Sequence, residues 1–520
     1  MSGSSPLSLN YPLSRRRVLQ AGVSLSALGA FPGLAWADTV PSEIVWGKSI
    51  ETTMIDPHTA LVGSAWQLQF LIYETLTTTG DGFSVQPGLA QSWDVPEPTK
   101  YIFHLRDGVA FSNGRPMTSE DVAGSIARVV DPKFGSWWAS QMGSVKSVTA
   151  TDAKTVTIEL SEPFTPLLAS LAASMTAILP MKEIKDGSFD PSKDMMGTGP
   201  FMVSAHQQND FWTLLKNPHY WRKGLPKTDK ITVRIITDDS ARLAALQSGA
   251  VDIANFENPD APLLLKSVAN VKVVSQITPD LYTLVLNAVW PDSPFRDERL
   301  RQAVFYALDR QQIRDVALSG QGEVSSAAAV IFKDGCPPPG DKRNVAKAKE
   351  LVAAAGGLSF EMIVQSSQAI QRIAQVIQQN LADAGINANL TVVDEGVFVD
   401  KVFVHGKFQA APLFWSAYAD PGMVPALWSP SVSGATGNYV KPVPKMEDLI
   451  RAERRTPNGS ERTALLNQIC TLVDESAQMI PLVTKPVTVA FRSDRISATI
   501  QADEGYNDTL RHIAEFARLT

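Results

Sequence analysis

The sequence predicts a two-lobed α/β protein, because two β-α-β patterns of similar design lie far apart in the chain. The first covers residues 231–256, where a β-branched run precedes a short helix that begins at Asp239 and Ser240 and ends at Gly249. The second joins the strand "SFEMIVQSS" through a helix over 370–384 to the strand "INANLTVVD". Since a β-α-β unit places its strands in parallel, each pattern predicts a parallel or mixed sheet of its own.

N-terminal to the first β-α-β pattern, the sequence predicts a hairpin followed by a capped helix. Residues 101–105 alternate apolar and polar side chains, and the turn pair Asn113-Gly114 follows. Thr118 begins the helix, because its hydroxyl can accept from the first turn and Asp121 stands three residues later.

Length and charge limit the class of protein. The chain of 520 residues suffices for two or three domain-sized units, and its formal net charge is −6. A mildly acidic protein is unsuited to nucleic acid or to an anionic membrane surface, so neither is expected as a partner.

The N-terminus has the pattern of an export signal. Three arginines, 15–17, precede a run diluted by glycine, serine and proline, which ends at Ala35-Trp36-Ala37. A membrane anchor needs about 20 strongly apolar residues, so a removable signal fits better. The arginines resemble the twin-arginine motif, and ordinary secretory export is the alternative. We expect cleavage near Ala37 and a periplasmic mature chain beginning at Asp38.

The two cysteines, Cys336 and Cys470, are the only ones in the chain. An oxidising compartment permits them to pair, but an exported protein of this size does not need a cross-link. We therefore expect unpaired or incidental thiols.

Motifs of catalysis and of metal or cofactor binding are missing from the sequence. None of the six histidines lies two or four residues from another, and no cysteine is beside them. The sequence has no Gly-x-Ser-x-Gly elbow, no phosphate-binding loop and no Gly-x-Gly-x-x-Gly. We therefore expect no cofactor, no metal site and no catalytic site, with a secreted hydrolase as the weaker alternative.

Tryptophan is the unusual feature of the composition. The chain has 11, and several flank turns. An indole offers a wide, rigid surface and one donor, which suits enclosing a ligand, although core packing is the ordinary use. Trp415 is the preferred candidate because a polar turn follows it directly, and Trp66 is retained as a second.

A series of motifs then resembles a known family. The motifs, which span nearly the whole mature chain in the family's order, are "LIYETL" (71–76), "PGLAQSWDV" (87–95), "YIFHLRDGVAFSNGRPMTSEDV" (101–122), "GTGPF" (197–201), "NPHYWRKGLPKTDKITVRIITDDSARLAALQSGAVDIA" (217–254), "RQAVFYALDR" (301–310), "QVIQQNLADAGI" (375–386) and "IPLVT" (480–484). The chain resembles the extracytoplasmic solute-binding proteins of family 5, the dipeptide-, oligopeptide-, glutathione- and nickel-binding components of ATP-driven (ABC) importers.

The resemblance implies the two-lobed fold of periplasmic binding proteins, cluster C type, with a hinge between the lobes. Lobe I would comprise 38–277 with 485–520 and carry an extra subdomain at about 59–190, while lobe II would comprise 278–484. It also implies a non-catalytic monomer that carries a solute to a membrane permease and its ATPase. Gly197 and Gly199 would shape a tight loop.

The resemblance also implies a set of solute contacts. Peptide-binding members carry a Trp-x-x-Asp segment whose aspartate pairs with the peptide's amino group. Here Trp415 is followed by Tyr418 at that place, and Asp420 keeps the Asp-Pro pair. Arg372 stands where the dipeptide-binding relative holds a carboxylate, and an arginine fork matches such an anion. Trp66 and Asn438 complete the predicted set.

The missing aspartate leaves the solute open. A peptide or peptide-like solute is the leading interpretation, with an opine, a sugar conjugate or a metal complex as alternatives. A metal- or haem-carrying member of the fold, using His58 and scattered methionines, is a further one.

Overall fold

The computed structural model describes residues 41–60, 63–276, 278–328, 332, 335–340, 342–416, 419–433, 436–500 and 510–519. The predicted export signal and Tyr418 lie outside these residues. Pro41–Thr520 form one compact unit. Searched over the described ranges, the chain contains no helix long and apolar enough to cross a membrane.

Short strands and helices alternate along the first half of the chain. Up to residue 276 they are β1 (Glu43–Lys48), α1 (Gly63–Ile72), β2 (Thr77–Thr79), β3 (Val85–Pro87), β4 (Ala90–Glu97), β5 (Lys100–Leu105), α2 (Ser119–Val130), β6 (Val145–Asp152), β7 (Thr155–Leu160), α3 (Leu167–Ser170), α4 (Met181–Asp186), β8 (Phe201–Gln207), β9 (Phe211–Lys216), β10 (Lys230–Ile235), α5 (Asp239–Ser248), β11 (Ile253–Phe256), α6 (Ala261–Leu265) and β12 (Val271–Gln276).

Residues 278–484 contain β13 (Leu281–Leu286), α7 (Glu298–Ala307), α8 (Arg310–Gln312), α9 (Val345–Ala354), β14 (Ser359–Gln365), α10 (Gln368–Asp383), β15 (Asn387–Val393), α11 (Glu395–Val399), β16 (Ala410–Trp415), α12 (Pro430–Ser433), α13 (Pro444–Arg455), α14 (Ser460–Ser476) and β17 (Met479–Thr484). The strands β18 (Val487–Arg492), β19 (Ile496–Ser497) and β20 (Ala517–Arg518) follow.

The first large sheet has seven strands in the order β12-β18-β11-β1-β10-β9-β8. It confirms the first β-α-β pattern, since β10, α5 and β11 follow one another as predicted. The two strands are not neighbours, however, because β1 pairs in parallel with both of them. Ile44 and Trp46 of β1 are fully buried, which explains why this strand takes the central place. The helix begins at Asp239 as predicted, and the side chain of the preceding Asp238 caps it by accepting from the Ala241 amide.

The second sheet has five strands in the order β15-β14-β16-β13-β17. It confirms the second pattern, because β14 and β15 pair in parallel along their whole length and α10 connects them. The chain passes between the two large sheets twice, from β12 to β13 and from β17 to β18. These connections are tied together by the Lys485 amide, which donates to the Asp280 carbonyl at 2.7 Å. The structure is therefore a two-lobed α/β fold with a double-stranded hinge.

A four-stranded antiparallel sheet, β4-β5-β7-β6, forms a separate subdomain in the first lobe. Helix α2 packs on it and begins with the predicted cap, in which Thr118 and Asp121 each bond the other's backbone amide. The sheet and helix enclose a core that includes Phe103, Ile126 and Trp138. We call this core and its sheet the antiparallel subdomain.

The cysteines correct the expectation of unpaired thiols. Cys336 and Cys470 form a disulfide with an S–S distance of 2.07 Å, and both side chains are buried in the second lobe. The two residues are 134 positions apart, so only the fold brings Cys336 against helix α14.

Candidate functional site

The candidate site lies where the two large sheets face each other. The hinge leaves the first sheet at the carboxyl end of β11, because Phe256 pairs with Thr488 near the start of β18. It enters the second sheet at Leu281, which pairs with Trp415 at the carboxyl end of β16. The carboxyl ends of β11 and β16 therefore both lie beside the hinge, and we take the space between the lobes at this edge, called the cleft below, as the candidate site. Crevices of this kind, outside the carboxyl ends of strands, are the usual ligand sites of α/β sheets.

Trp415, the preferred candidate from the sequence, ends strand β16 next to the hinge. Its ring is partly buried and packs edge-on against Phe403, with 6.0 Å between ring centroids. Its indole N–H is buried and has no hydrogen-bond partner among the described residues. Because a buried donor without a partner is costly, a solute acceptor at this place would remove the cost.

Ionisable side chains from both lobes lie near the same edges, and no motif in the sequence singles them out. Lys48 ends β1 and is 1% exposed, and burial lowers the pKa of its ammonium group to about 7 while the charges of Glu51 and Glu257 oppose that shift. Glu257 directly follows β11 and is exposed. Glu395 begins α11, two residues after the end of β15. It is open to water, yet the surrounding protein and the charge of Glu257 raise the pKa of its carboxyl. The available signal was a charged residue at, or within two residues of, the carboxyl end of a parallel strand.

Arg372 has a protein partner. Its guanidinium pairs with the Asp260 carboxylate at 2.9 Å and donates to the Val316 carbonyl at 3.0 Å. Asp260 caps α6 in the first lobe, whereas Arg372 lies on α10 in the second. The hydrogen bond from Ser319 and the charge of Arg372 lower the pKa of Asp260. The arginine therefore joins the lobes in this arrangement, and its predicted contact with a solute carboxylate stays a prediction.

Asp420 is also occupied by protein groups. Its carboxylate accepts two bonds from the Arg462 guanidinium, at 2.6 and 2.8 Å, and one from the Gly422 amide at 2.8 Å. Both charged side chains are buried, so the pair is structural in this arrangement.

The other predicted contacts are dispersed. Trp66 packs in the core of the antiparallel subdomain and donates to the Ala60 carbonyl at 3.4 Å. Asn438 is exposed and donates to the carbonyls of Phe403 and Val404 at 3.3 and 3.1 Å. Asn438 and Trp415 thus both contact Phe403, the first at its backbone carbonyl and the second at its ring. The structure does not gather the remaining members of the set around them.

Both ring nitrogens of His58 form hydrogen bonds to protein groups in the first lobe. Burial lowers the pKa of its imidazole to about 4, so the ring is neutral near pH 7. One ring nitrogen contacts the Ala177 carbonyl at 2.8 Å and the other contacts the Arg128 guanidinium at 2.9 Å. Because the first partner accepts and the second donates, the pattern assigns the proton to Nε2. Within the described ranges, no group of three or more His, Cys, Asp and Glu side chains is placed to hold a metal ion.

A cavity of about 320 Å³ lies away from the cleft, beside β8 and β9 of the first lobe. Its central carboxylate, Glu51, accepts from the Trp212 indole at 2.7 Å and from the Asn209 amide at 2.6 Å. These internal bonds give Glu51 a structural role, so we place the candidate site in the cleft.

Comparison with known protein sequences places the chain in a family. Residues 84–437 match the sequence profile of the bacterial extracellular solute-binding proteins, family 5. The glutathione-binding protein GsiB of Salmonella typhi is 27% identical over 504 residues, covering 93% of this chain and 96% of the relative. GsiB of Salmonella paratyphi A is 28% identical over 503 residues, with the same coverage.

Solved structures share the fold. The agropinic acid complex of the periplasmic binding protein AgaA from A. tumefaciens R10 superposes with a TM-score of 0.81 at 24% identity, covering 92% of this chain and 99% of that one. The periplasmic binding protein DppA from Helicobacter pylori, in complex with the peptide STSA, gives the same TM-score, identity and coverage. At this level of identity, the similarity shows a common two-lobed architecture.

Proposed function

The chain belongs to the bacterial extracellular solute-binding proteins of family 5, and we propose that it captures a peptide or peptide-like small solute between its lobes for an ABC importer. In this proposal the mature protein, cleaved near Ala37, is a periplasmic monomer that performs no catalysis. Its lobes are residues 38–277 with 485–520, and residues 278–484. The closed protein delivers the solute to the permease and ATPase complex of the inner membrane.

The observation that carries the proposal is the indole N–H of Trp415, which is buried close to the hinge and has no hydrogen-bond partner among the described residues. A protein that completes this bond with a solute gains free energy only when the lobes enclose that solute, so binding favours closure. Phe414, whose side chain points to the opposite face of β16, has the Lys485 ammonium 4.1 Å from its ring centroid.

The charges near the cleft support a peptide-like solute. Glu257 and Glu395 offer carboxylates for an ammonium group, and Lys485 on the hinge offers an ammonium for a carboxylate. Carboxylates of both lobes thereby stand in for the aspartate that Tyr418 replaces. The GsiB relatives, which bind glutathione, make this tripeptide the first solute to test.

A thermal-shift panel tests the solute class, using the mature protein with reduced glutathione, Ala-Ala, agropinic acid, a glycoside and Ni(II) with histidine. A solute present at 100 times its Kd stabilises the folded protein by about 2.7 kcal/mol, and only binding compounds raise the Tm. We expect glutathione or the dipeptide to raise it. A shift with agropinic acid, the glycoside or the nickel complex alone would replace the peptide assignment by that class.

Two variants distinguish the loss of a solute contact at Trp415 from a general loss of stability. Trp415→Ala is expected to weaken binding of the solute that raises the Tm at least tenfold. Trp428→Phe is the matched control, because Trp428 is fully buried and its indole donates to the Met479 carbonyl at 3.0 Å. Equal affinities of Trp415→Ala and the wild type would remove Trp415 from the site.

Mass spectrometry of the intact protein, purified from the periplasm, identifies the natural cargo directly. We expect the mass of the chain from Asp38 with one small solute that dissociates unchanged. Recovery of a chemically altered solute after incubation with pure protein would contradict a transport role and support the hydrolase alternative.

A further inference from the structure

Residues 419–423, which belong to the second lobe, contact the first lobe. Met423 is 3% exposed and belongs to the core of the antiparallel subdomain, together with residues from the first lobe. Ala419 packs against the same core. A contact with the other lobe therefore begins four residues after Trp415 in the sequence.

The last turn of helix α13 makes a second contact with the same subdomain. The Thr165 amide donates to the Arg454 carbonyl at 2.7 Å, and its hydroxyl donates to the Thr456 carbonyl at 2.8 Å. The Arg454 guanidinium donates to the Gln141 side chain at 2.9 Å, with both residues buried. Carbonyls at the end of a helix lack partners within the helix, and here the opposite lobe satisfies them.

A buried ion cluster links these two contacts. Arg462 of α14 forks onto Asp420, in the loop after Trp415, and its Nε donates at 2.7 Å to Glu453, the neighbour of Arg454. All four charged residues are buried, with two acids facing two arginines. Removing one member of such a cluster leaves an uncompensated charge, so the loop and the helix end are positioned together.

The packing around Gly422 strengthens this link. A β-carbon at Gly422 would lie 2.2 Å from a carboxylate oxygen of Glu453, so the loop and α13 touch without room for a side chain. Residues 420–423 and the end of α13 are therefore held together as a single body against the antiparallel subdomain.

We propose that residues 419–423 and the last turn of α13 form one clasp, which fastens the second lobe to the antiparallel subdomain and connects closure to the Trp415 strand. This inference rests on the proposed solute-binding function, in which closure accompanies capture. Met423 packs into the apolar core of the subdomain. Arg454 and Thr456 make the hydrogen bonds to Thr165 and Gln141. The buried ion cluster fixes these two contacts relative to each other.

Amide hydrogen exchange of the mature protein, without added solute, tests the clasp. In the wild type we expect slow exchange in 161–167 and 450–457. Met423→Ala and Thr165→Val should each accelerate exchange in those two segments at least tenfold and leave strands β14 and β15 unchanged. Met446→Ala is the matched control, because Met446 is fully buried in the second lobe alone. Fast exchange in the wild type, or equal effects of Met446→Ala and Met423→Ala on 161–167, would overturn the proposal.

A charge exchange provides a test that does not disturb the core. Arg455, next to Arg454, pairs with Glu162 of the subdomain at a partly exposed site. Arg455→Glu should accelerate exchange in 161–167 at least threefold, and adding Glu162→Arg should restore the wild-type rate. Failure of the double variant to restore it would show that the pair does not act between the lobes. Neither experiment uses a solute, so failure of the clasp leaves the thermal-shift result intact, and a panel without a binding compound leaves the clasp intact.

Discussion

Arg372 and Asp260 form an ion pair of 2.9 Å that connects helix α10 of the second lobe to the start of α6 in the first. The sequence predicts Arg372 as the anchor for a solute carboxylate, and the two roles differ in their mutational signature. A bridge between lobes loses the same interaction whichever partner is removed, whereas an anchor depends on the arginine alone.

Substitution of either partner therefore distinguishes bridge from anchor. We expect Arg372→Gln and Asp260→Asn to weaken solute binding equally and by less than about fivefold, since partly exposed ion pairs contribute up to about 1 kcal/mol. Titration calorimetry with the solute identified in the thermal-shift panel measures both. A loss above 30-fold in Arg372→Gln, with Asp260→Asn near wild type, would establish the anchor.

The disulfide is expected to be a main contributor to stability. Cys336 and Cys470 close a long chain segment, and a cross-link over roughly 100 residues or more contributes about 3–5 kcal/mol by restricting the unfolded chain. The double variant Cys336→Ser/Cys470→Ser should lose this amount in urea unfolding. Treating the wild type with a reductant during unfolding should reproduce the loss, and treating the double variant should have no effect. Equal midpoints for all samples would contradict the assignment.

His58 makes the antiparallel subdomain sensitive to acid. Its imidazole has a folded-state pKa of about 4, below the ordinary 6.5, so the unfolded state binds the proton more readily between these values. The free energy of unfolding should fall as the pH drops from 6.5 to 4, by about 3 kcal/mol from this group. Protonation of Nδ1 would also place a donor against the Arg128 guanidinium.

The pH dependence of unfolding is measured for the wild type, His58→Gln and the control His104→Gln. His104 is suitable because its side chain is 40% exposed and its ring pairs with the exposed Asp94 carboxylate. We expect His58→Gln to flatten the slope between pH 4 and 6.5 and His104→Gln to preserve it. Parallel curves for all three proteins would show that His58 does not titrate in this way.

The tight loop before β8 tolerates no side chain. A β-carbon at Gly197 would lie 2.1 Å from the Ile72 carbonyl oxygen, which belongs to helix α1 and cannot move freely. Gly197→Ala should destabilise the protein by about 3 kcal/mol or more, in the range of overpacked or strained sites. Gly437→Ala is the control, because its nearest neighbour would be 3.9 Å away. A Tm of Gly197→Ala equal to that of the control would refute the steric argument.

Local patterns were sufficient for the parts of the fold that depend on neighbours in the chain. The β10-α5-β11 and β14-α10-β15 units and the Thr118 cap were predictable, because strand alternation, helix stops and capping pairs act within a few residues. The insertion of β1 between β10 and β11 was not, because strand order depends on which apolar strand fills the centre of the sheet.

In the candidate site too, some features were predictable from local sequence and others depend on the fold. The order of motifs indicated the family, and the family match confirms it, whereas the solute contact of Trp415 stays a prediction from the polar turn behind it. The tertiary structure decided that Asp420 binds Arg462, that Arg372 binds Asp260 and that Cys336 pairs with Cys470. Each of these partners lies 42 or more residues away along the chain. Charge pairing and disulfide formation depend on distances in space, which no local pattern encodes, so the sequence determined the elements and the family, and the fold decided which side chains meet.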